Sequence, residues 1–184
     1  QEVLSRPDLR HLVEAVERLL DREGLCRPAA LRLVAPLDRE RPRVVAWAVP
    51  FRAPRRLRRE GAVVVPVTLP AGPLAGLKSC SYLPLRWARQ RARGAGAEAA
   101  LLVDVDGALR ETDHANLFVR LGDRVVTPPA PRRCLPGVVR AWCIAALRGL
   151  GVDVVEVDLQ LPQLRSGVEA WLTSSLEGLV PVRR

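Results

Sequence analysis

Lys78 is the only lysine in this chain of 184 residues, in which lysine and arginine together number 29. Arginine keeps its proton near neutral pH, whereas a lysine amine can release its proton and can form a Schiff base with a carbonyl compound. A GC-rich genome explains the general preference for arginine and leaves a plain surface lysine as the simpler interpretation. Because a lysine persists at this one position, we predict instead that Lys78 takes part in chemistry that arginine cannot perform.

The charge and the composition narrow the class of protein. The net charge of +9 would favour binding of a nucleic acid or of a small anionic ligand. The arginines are spread along the chain apart from one dense run, the segment RAPRRLRR at 52–59. Aromatic residues make up 4% of the chain, which is too few for a surface that stacks RNA bases. We therefore favour an anionic small molecule, and a basic binding protein is the alternative. No apolar run of the sequence approaches the roughly 18 residues that would cross a bilayer.

Sequence patterns that could indicate a dinucleotide or metal site lack the neighbouring structure or ligands that such a site requires. The segment GAGAEA at 94–99 spells a dinucleotide fingerprint, but it follows a predicted helix and precedes a strand, the reverse of what that motif requires. The segment DVDG at 104–107 lacks the later ligands of a calcium loop. The four cysteines form no C-x-x-C pair and the chain has two histidines, so we expect no metal site. We interpret His114 as a loop residue.

Helix and strand patterns predict an α+β fold. Apolar residues at helical spacing, with Pro7 before them and Gly24 after them, predict a helix over 7–24. Strands are predicted over 30–35, 44–49 and 62–69, and a Pro/Gly segment at 70–78 separates these elements from the rest. We predict an N-terminal α+β lobe over 1–73 and a β-rich C-terminal lobe over 74–184.

The predicted C-terminal lobe contains two helices and several short strands. Helices are predicted over 83–93 and 137–149, and an Asp106-Gly107 turn predicts a hairpin between strands at 100–105 and 108–112. Further strands are predicted over 116–120, 124–127, 152–157 and 169–173. This order places Lys78 ahead of a helix, Glu111 at the close of a hairpin strand and Gly137 at a helix start.

Four short motifs occur along the chain in a fixed order. They are LKSCSYL around Lys78, ETDHANLF from Glu111, LPGVVR at the start of the last predicted helix, and LTSSLEGLVPV near the end. Each motif alone is weak, but together their order and spacing resemble the class IV aminotransferase family, the fold-type IV enzymes that use pyridoxal 5'-phosphate. The resemblance extends from near Leu9 to the end of the chain. It implies a two-lobed α+β enzyme whose C-terminal lobe is a β-rich pseudo-barrel.

The resemblance also implies roles for particular residues toward pyridoxal 5'-phosphate. Lys78 would hold the cofactor and move protons at the substrate α-carbon. Glu111 would keep the pyridine nitrogen protonated, and Tyr82 would reach the phenolic oxygen. The phosphate would be bound by backbone N–H groups at a helix start and by two hydroxyls, from Gly137, Val138, Val139, Ser174 and Ser175.

The end of the chain favours one reaction within the family. The turn TSSL at 173–176 resembles the T-N-S-L of 4-amino-4-deoxychorismate lyase, and four positions separate Lys78 from Tyr82 as in that lyase. The resemblance therefore implies the formation of 4-aminobenzoate and pyruvate for folate synthesis, by a cytoplasmic homodimer that binds a small carboxylate. A branched-chain or D-amino-acid aminotransferase is the alternative activity. An inactive homologue or a basic binding protein is the alternative class.

The chain departs from the family pattern in two places. Relatives carry earlier segments of the G-D-G-x-F-E and H-x-x-R-L types, and the arginine of the second segment holds the cofactor phosphate. Neither segment occurs here and the chain has no methionine, so we expect a longer complete protein or a truncated homologue. Relatives often have Ile-Thr where this chain has Val138-Val139, which removes one phosphate hydroxyl. Asn116 is expected to stabilise the turn beside Glu111 rather than to contact the cofactor.

Overall fold

The computed structural model describes residues 9–24, 28–34, 45–52, 54–164 and 168–183, which belong to two compact units, 1–53 and 54–184. In the first unit, helix α1 (Leu9–Arg22) is followed by an antiparallel hairpin of β1 (Ala29–Val34) and β2 (Val45–Pro50). The predicted helix and both predicted strands are present. Residues 7–8, 35 and 44, which the sequence predictions included, lie outside the described residues.

The second unit is built on an eight-stranded sheet. Along the chain its elements are α2 (Arg55–Glu60), β3 (Ala62–Thr68), α3 (Leu83–Gly94), β4 (Ala99–Val103), β5 (Leu109–Thr112), β6 (Asn116–Leu121), β7 (Arg124–Thr127), α4 (Val138–Gly149), β8 (Asp153–Glu156), a 3-10 turn (Leu161–Gln163), β9 (Ala170–Ser174) and β10 (Gly178–Arg183). The strand order is β5-β4-β3-β10-β9-β6-β7-β8. The pairs β10–β3, β3–β4 and β7–β8 are parallel, and the other neighbours are antiparallel.

One face of this sheet encloses a single apolar core. The buried side chains that contact one another there come from most of the strands and include Ala62, Leu101, Leu109, Leu117, Val126, Leu172 and Val180. Strands far apart in the order, such as β5 and β7, can share one core only if the sheet curls around it. The curled sheet is the β-rich pseudo-barrel that the family resemblance implied, and the α+β class is confirmed.

Two helices cover the outer face of the sheet. Ala88 and Ala92 of α3 pack on β3 and β4, and Cys143 and Ile144 of α4 pack on the strands β6 to β8. All five residues of β4 are buried, because this strand has the inner core on one side and α3 on the other. The packing of α3 and α4 fixes the ends of the segments that precede them, which contain Lys78 and Gly137.

The sequence did not predict the 3-10 turn, and among the described residues it also missed a helix and a strand. Helix α2 has the sequence RRLRRE, in which one apolar residue, Leu57, packs against the core, so no apolar periodicity marks it as a helix. Strand β10 contains Pro181, which removes a backbone donor and disfavours a strand. It nevertheless pairs with both β9 and β3, and it closes the sheet between the N-terminal and C-terminal halves of the unit.

The compact units separate at 53/54, whereas the sequence predicted two lobes that meet at 73/74. The difference arises from β3, which hydrogen-bonds with β4 and β10 and is therefore part of the large sheet. The division at 73/74 stays a prediction for the lobes of the complete protein.

Candidate active site

Glu111, on β5, has both carboxylate oxygens hydrogen-bonded by neutral donors. The backbone N–H of Leu135 donates to Oε1 at 3.2 Å, and Asn116 Nδ2 donates to Oε2 at 3.0 Å. Burial raises the pKa of Glu111 from 4.5 to about 7 and outweighs the hydrogen bond from Leu135 and the nearby positive charges, Lys78 among them, which all lower it. A half-buried carboxylate held by neutral donors is suited to bind a cation, such as a protonated ring nitrogen.

Lys78 lies in the connection between β3 and α3, and its side chain is exposed. The charge of Lys78 is close enough to Glu111 to lower the pKa of that carboxyl, so the structure brings the amine and the carboxylate into one region. The segment before Lys78 is anchored because Arg110 donates to the Leu69 carbonyl oxygen at 2.9 Å. Tyr82 is half-buried at the N-terminus of α3, and its role toward a cofactor stays a prediction.

Asn116 joins Glu111 to the start of α4. Besides its bond to Glu111, its Nδ2 donates to the Leu135 carbonyl oxygen at 2.8 Å. Gly137 packs directly against this amide, since a Cβ built on Gly137 would overlap with Asn116 Oδ1. The expected role of Asn116, to stabilise the turn beside Glu111, agrees with these contacts. The close approach requires glycine at 137, although the φ of −66° would suit any residue.

We expect Gly137→Ala to destabilise the chain by about 1–3 kcal/mol, the usual cost of overpacking, because the new methyl group must displace the Asn116 amide. The matched control is Gly149→Ala, in the last turn of the same helix, where a Cβ meets nothing within 4 Å. Alanine there should leave stability unchanged or raise it by less than about 1 kcal/mol. Urea denaturation of both variants provides the measurement, and equal stabilities would show that Asn116 moves aside without cost.

The first turn of α4 presents backbone N–H groups that have no acceptors within the helix. Gly137 caps this helix without a side-chain hydrogen bond, and the N–H groups of Val138 and Val139 belong to the first turn, which has no acceptors within the helix. Such a helix start favours an anion. The turn is anchored by Arg140, whose buried guanidinium donates to Glu156 Oε2 at 2.6 Å and to the Pro128 carbonyl oxygen at 2.9 Å.

Hydroxyl groups lie at the end of β9, close to Asn116. Thr173 pairs with Asn116 in the β6–β9 ladder, and its buried Oγ1 has no hydrogen-bond partner within the part of the chain that the structure describes. Ser174 Oγ accepts the backbone N–H of Glu177 at 3.1 Å, and Ser175 is exposed in the following turn. The orphaned Thr173 hydroxyl is the strongest structural sign that an external polar group belongs here.

Sequence reasoning left three residues of this region without an individual role. Thr173 was part of the TSSL motif only, and its orphaned hydroxyl depends on the pairing of β9 with β6. Arg140 is the last residue of the LPGVVR motif, where a basic residue among apolar ones was the available signal of burial. His114 was interpreted as a plain loop residue; it lies in a turn, but it forms ion pairs with Asp113 and Glu177.

The fold and these residues define a curled α+β domain with a lysine, a half-buried glutamate and a helix start without a side-chain cap in one region. The chain belongs to the amino-transferase class IV family, whose sequence model matches residues 4–184. Among the described residues, no helix combines the length and the apolar character that crossing a membrane requires.

Similar proteins include two activities of this family. A provisionally named branched-chain-amino-acid aminotransferase of Methanocaldococcus jannaschii is 29% identical over 77% of this chain and 50% of that protein. The aminodeoxychorismate lyase of Bacillus subtilis is 29% identical over 68% of this chain and 43% of that protein. A solved structure, provisionally named 4-amino-4-deoxychorismate lyase, has a TM-score of 0.80 and 30% identity, and the match covers 98% of this chain and 71% of that one. The chain thus spans at most about half the length of these two curated relatives.

Enzymes of this family depend on pyridoxal 5'-phosphate, and the residues present fit that cofactor. Lys78 supplies an amine, and Glu111 supplies a half-buried carboxylate for a ring nitrogen. The α4 N-terminus and the unpartnered Thr173 hydroxyl offer donors for a phosphate. The individual roles of Lys78, Tyr82, Glu111, Gly137, Val138, Val139, Ser174 and Ser175 stay predictions.

Proposed function

We propose that the complete protein is a pyridoxal-phosphate-dependent 4-amino-4-deoxychorismate lyase, which forms 4-aminobenzoate and pyruvate. The observation that carries the choice of reaction is the TSSL turn at 173–176, which lies beside Asn116 at the edge of the candidate site. The likeness to the Bacillus subtilis lyase supports the same reaction. The net charge of +9 suits a substrate that carries carboxylates.

The proposed roles of the residues follow from their chemistry. The cofactor, when bound, supplies an electron sink for the substrate carbon that loses its proton. Lys78 holds the cofactor and transfers that proton, because its amine can accept and return one. Glu111 keeps the ring nitrogen protonated through its opposite charge. The N–H groups of Val138 and Val139, with the hydroxyls of Thr173 and Ser174, would hold the phosphate of the cofactor.

An aminotransferase is the second candidate. The relative from Methanocaldococcus jannaschii, which matches 77% of this chain, carries that name, and both reactions use the same lysine, carboxylate and phosphate donors. They differ after the proton has moved to Lys78. The lyase expels pyruvate from a ring that becomes aromatic and needs no second substrate. The aminotransferase needs a keto acid to complete each turnover.

The test is to incubate the complete protein with aminodeoxychorismate and pyridoxal 5'-phosphate, without a keto acid. We expect 4-aminobenzoate and pyruvate to form in equal amounts over many turnovers. Amino transfer from glutamate or leucine to 2-oxo acids, without 4-aminobenzoate, would establish the aminotransferase instead. A protein that shows neither reaction and takes up no cofactor would be an inactive homologue or a basic binding protein.

The homodimer, the cytoplasmic location and the place in folate synthesis are further parts of this proposal. The exposed side chains of Val138 and Trp142, one turn apart on α4, provide an apolar face that supports the association of two copies.

A further inference from the structure

His114 is held between two carboxylates in the turn that follows Glu111. Its Nδ1 lies 3.2 Å from Asp113 Oδ2, and its Nε2 lies 3.0 Å from Glu177 Oε2. A neutral imidazole has one N–H and one lone pair, so it can donate to one of these carboxylates and must face the other with its lone pair. The imidazolium donates to both, and this geometry therefore favours the protonated ring.

The charged groups that face His114 come from several elements. Asp113 lies in the same turn, Glu177 lies in the β9–β10 turn, and Arg89 of α3 forms an ion pair with Asp113. From α2, Arg58 donates to the Glu177 carbonyl oxygen, and the adjoining cleft is also lined by Arg93 and Glu98. Burial lowers the pKa of His114, but the hydrogen bonds that its ring donates to Asp113 and Glu177 outweigh burial and raise the pKa to about 9.

The carboxylate partners of His114 connect it to both sides of the candidate active site. Asp113 Oδ1 accepts the N–H of Ala100 on β4 at 2.8 Å, which ties the β5–β6 turn to the centre of the sheet. This turn lies between Glu111 and Asn116, which hydrogen-bond to each other. On the other side, the N–H of Glu177 donates to Ser174 Oγ at 3.1 Å, next to Thr173.

We propose that His114 is a positioning residue, which joins the β5–β6 turn to the β9–β10 turn and, together with the pairing of Asn116 with Thr173, holds Glu111 at its distance from the hydroxyls at 173–174. In the proposed function, Glu111 contacts the ring nitrogen of the cofactor and the hydroxyls bind its phosphate. The distance between Glu111 and the hydroxyls therefore decides whether one cofactor molecule can contact both. This inference rests on the proposed use of pyridoxal 5'-phosphate at these residues.

The connection through His114 depends on pH in a defined direction. The folded chain raises the pKa of His114 from 6.5 to about 9, so the stability that the ion pairs contribute is fully present below pH 6.5, and the ring stays protonated until the pH approaches about 9. They are lost as the pH rises through about 9, where the ring becomes neutral and releases one carboxylate. Cofactor affinity should therefore fall over the same range.

Three variants of the complete protein test the connection. His114→Phe keeps a ring but removes both N–H groups, and it should weaken the binding of pyridoxal 5'-phosphate about three- to thirtyfold at neutral pH. Glu177→Gln can still pair with a neutral imidazole, so its affinity should stay near that of the wild type while the loss of affinity at alkaline pH disappears. His11→Gln, on α1, is the matched control and should change neither property.

The ring itself can be followed by NMR, because the chain has two histidines. The His114 resonance, assigned by its absence from His114→Phe, should titrate near pH 9 in the wild type and at lower pH in Glu177→Gln. If the wild type binds the cofactor and His114→Phe binds it equally well at every pH, the positioning role is overturned and the proposed function stands. If the wild-type protein takes up no cofactor at all, both are overturned.

Discussion

The Lys78→Arg variant of the complete protein is expected to lose about a thousandfold or more in turnover, the scale on which removal of a covalent catalytic group acts. Arginine preserves the positive charge beside Glu111, but its guanidinium keeps its proton and forms no stable covalent bond with an aldehyde. Folding should be unaffected, since the Lys78 side chain is exposed. Turnover with aminodeoxychorismate, or with an amino donor and a keto acid, provides the measurement.

Chemical labelling tests directly whether Lys78 is the residue that binds the cofactor covalently. Borohydride makes a lysine–cofactor bond permanent, and peptide mapping should find the label on Lys78 in the wild type. The control is the double variant Lys78→Arg/Arg86→Lys, which moves the lysine of this chain to an exposed position on α3. This variant should carry no label. Equal labelling of the new lysine, or a label confined to an N-terminal amine, would show that position 78 has no special role.

The sequence predicted the elements around the site because their signals are local. The Pro136-Gly137 pair marks the start of α4, and the structure begins that helix at Val138. The Asp106-Gly107 pair marks the hairpin that presents Glu111, and Gly107 has the φ of 79° that such a turn requires. Local signals of this kind place each motif on the correct element.

The arrangement of the strands could not be predicted in the same way. Strand β10 lies between β3 and β9, so a segment near the end of the chain completes a sheet that begins at Ala62. Pro181 lowers the strand propensity of β10, so local preference does not predict this strand. Its pairing is instead stabilised by the burial of Val180 in the shared core. Long-range burial therefore outweighs local preference at this position.

The polar contacts of the site depend on the same long-range pairing. The pairing of β6 with β9 places Thr173 opposite Asn116, and the β9–β10 turn brings Glu177 to His114, 63 positions away in the chain. No local pattern distinguishes such a threonine or histidine from one exposed to solvent. The sequence could therefore predict which motifs carry chemistry, but the hydroxyl without a partner and the histidine between two carboxylates emerge from the sheet topology.

Glu111→Gln is expected to lower turnover by about a hundredfold or more, the range found when one preorganised group that stabilises developing charge is removed. A neutral amide cannot keep a ring nitrogen protonated, so the electron sink is weakened although the cofactor still binds through Lys78 and the phosphate donors. The visible spectrum of the bound cofactor and the steady-state rate, measured on the same preparation, separate loss of binding from loss of catalysis. An unchanged rate would identify Glu111 as a structural residue.

The Glu111→Gln variant can also be tested through the pH dependence of its folding stability, which does not require an active enzyme. Burial raises the pKa of Glu111 from 4.5 to about 7, so between these values the folded cofactor-free protein holds a proton that the unfolded chain has released. Wild-type stability should therefore fall, relative to Glu111→Gln, as the pH rises from 4.5 to about 7, and the difference should then stay constant. Urea denaturation of the two proteins across this range gives the comparison. Parallel stability curves would mean that Glu111 ionises as an ordinary surface carboxyl does, and that it is not the desolvated partner which a ring nitrogen requires.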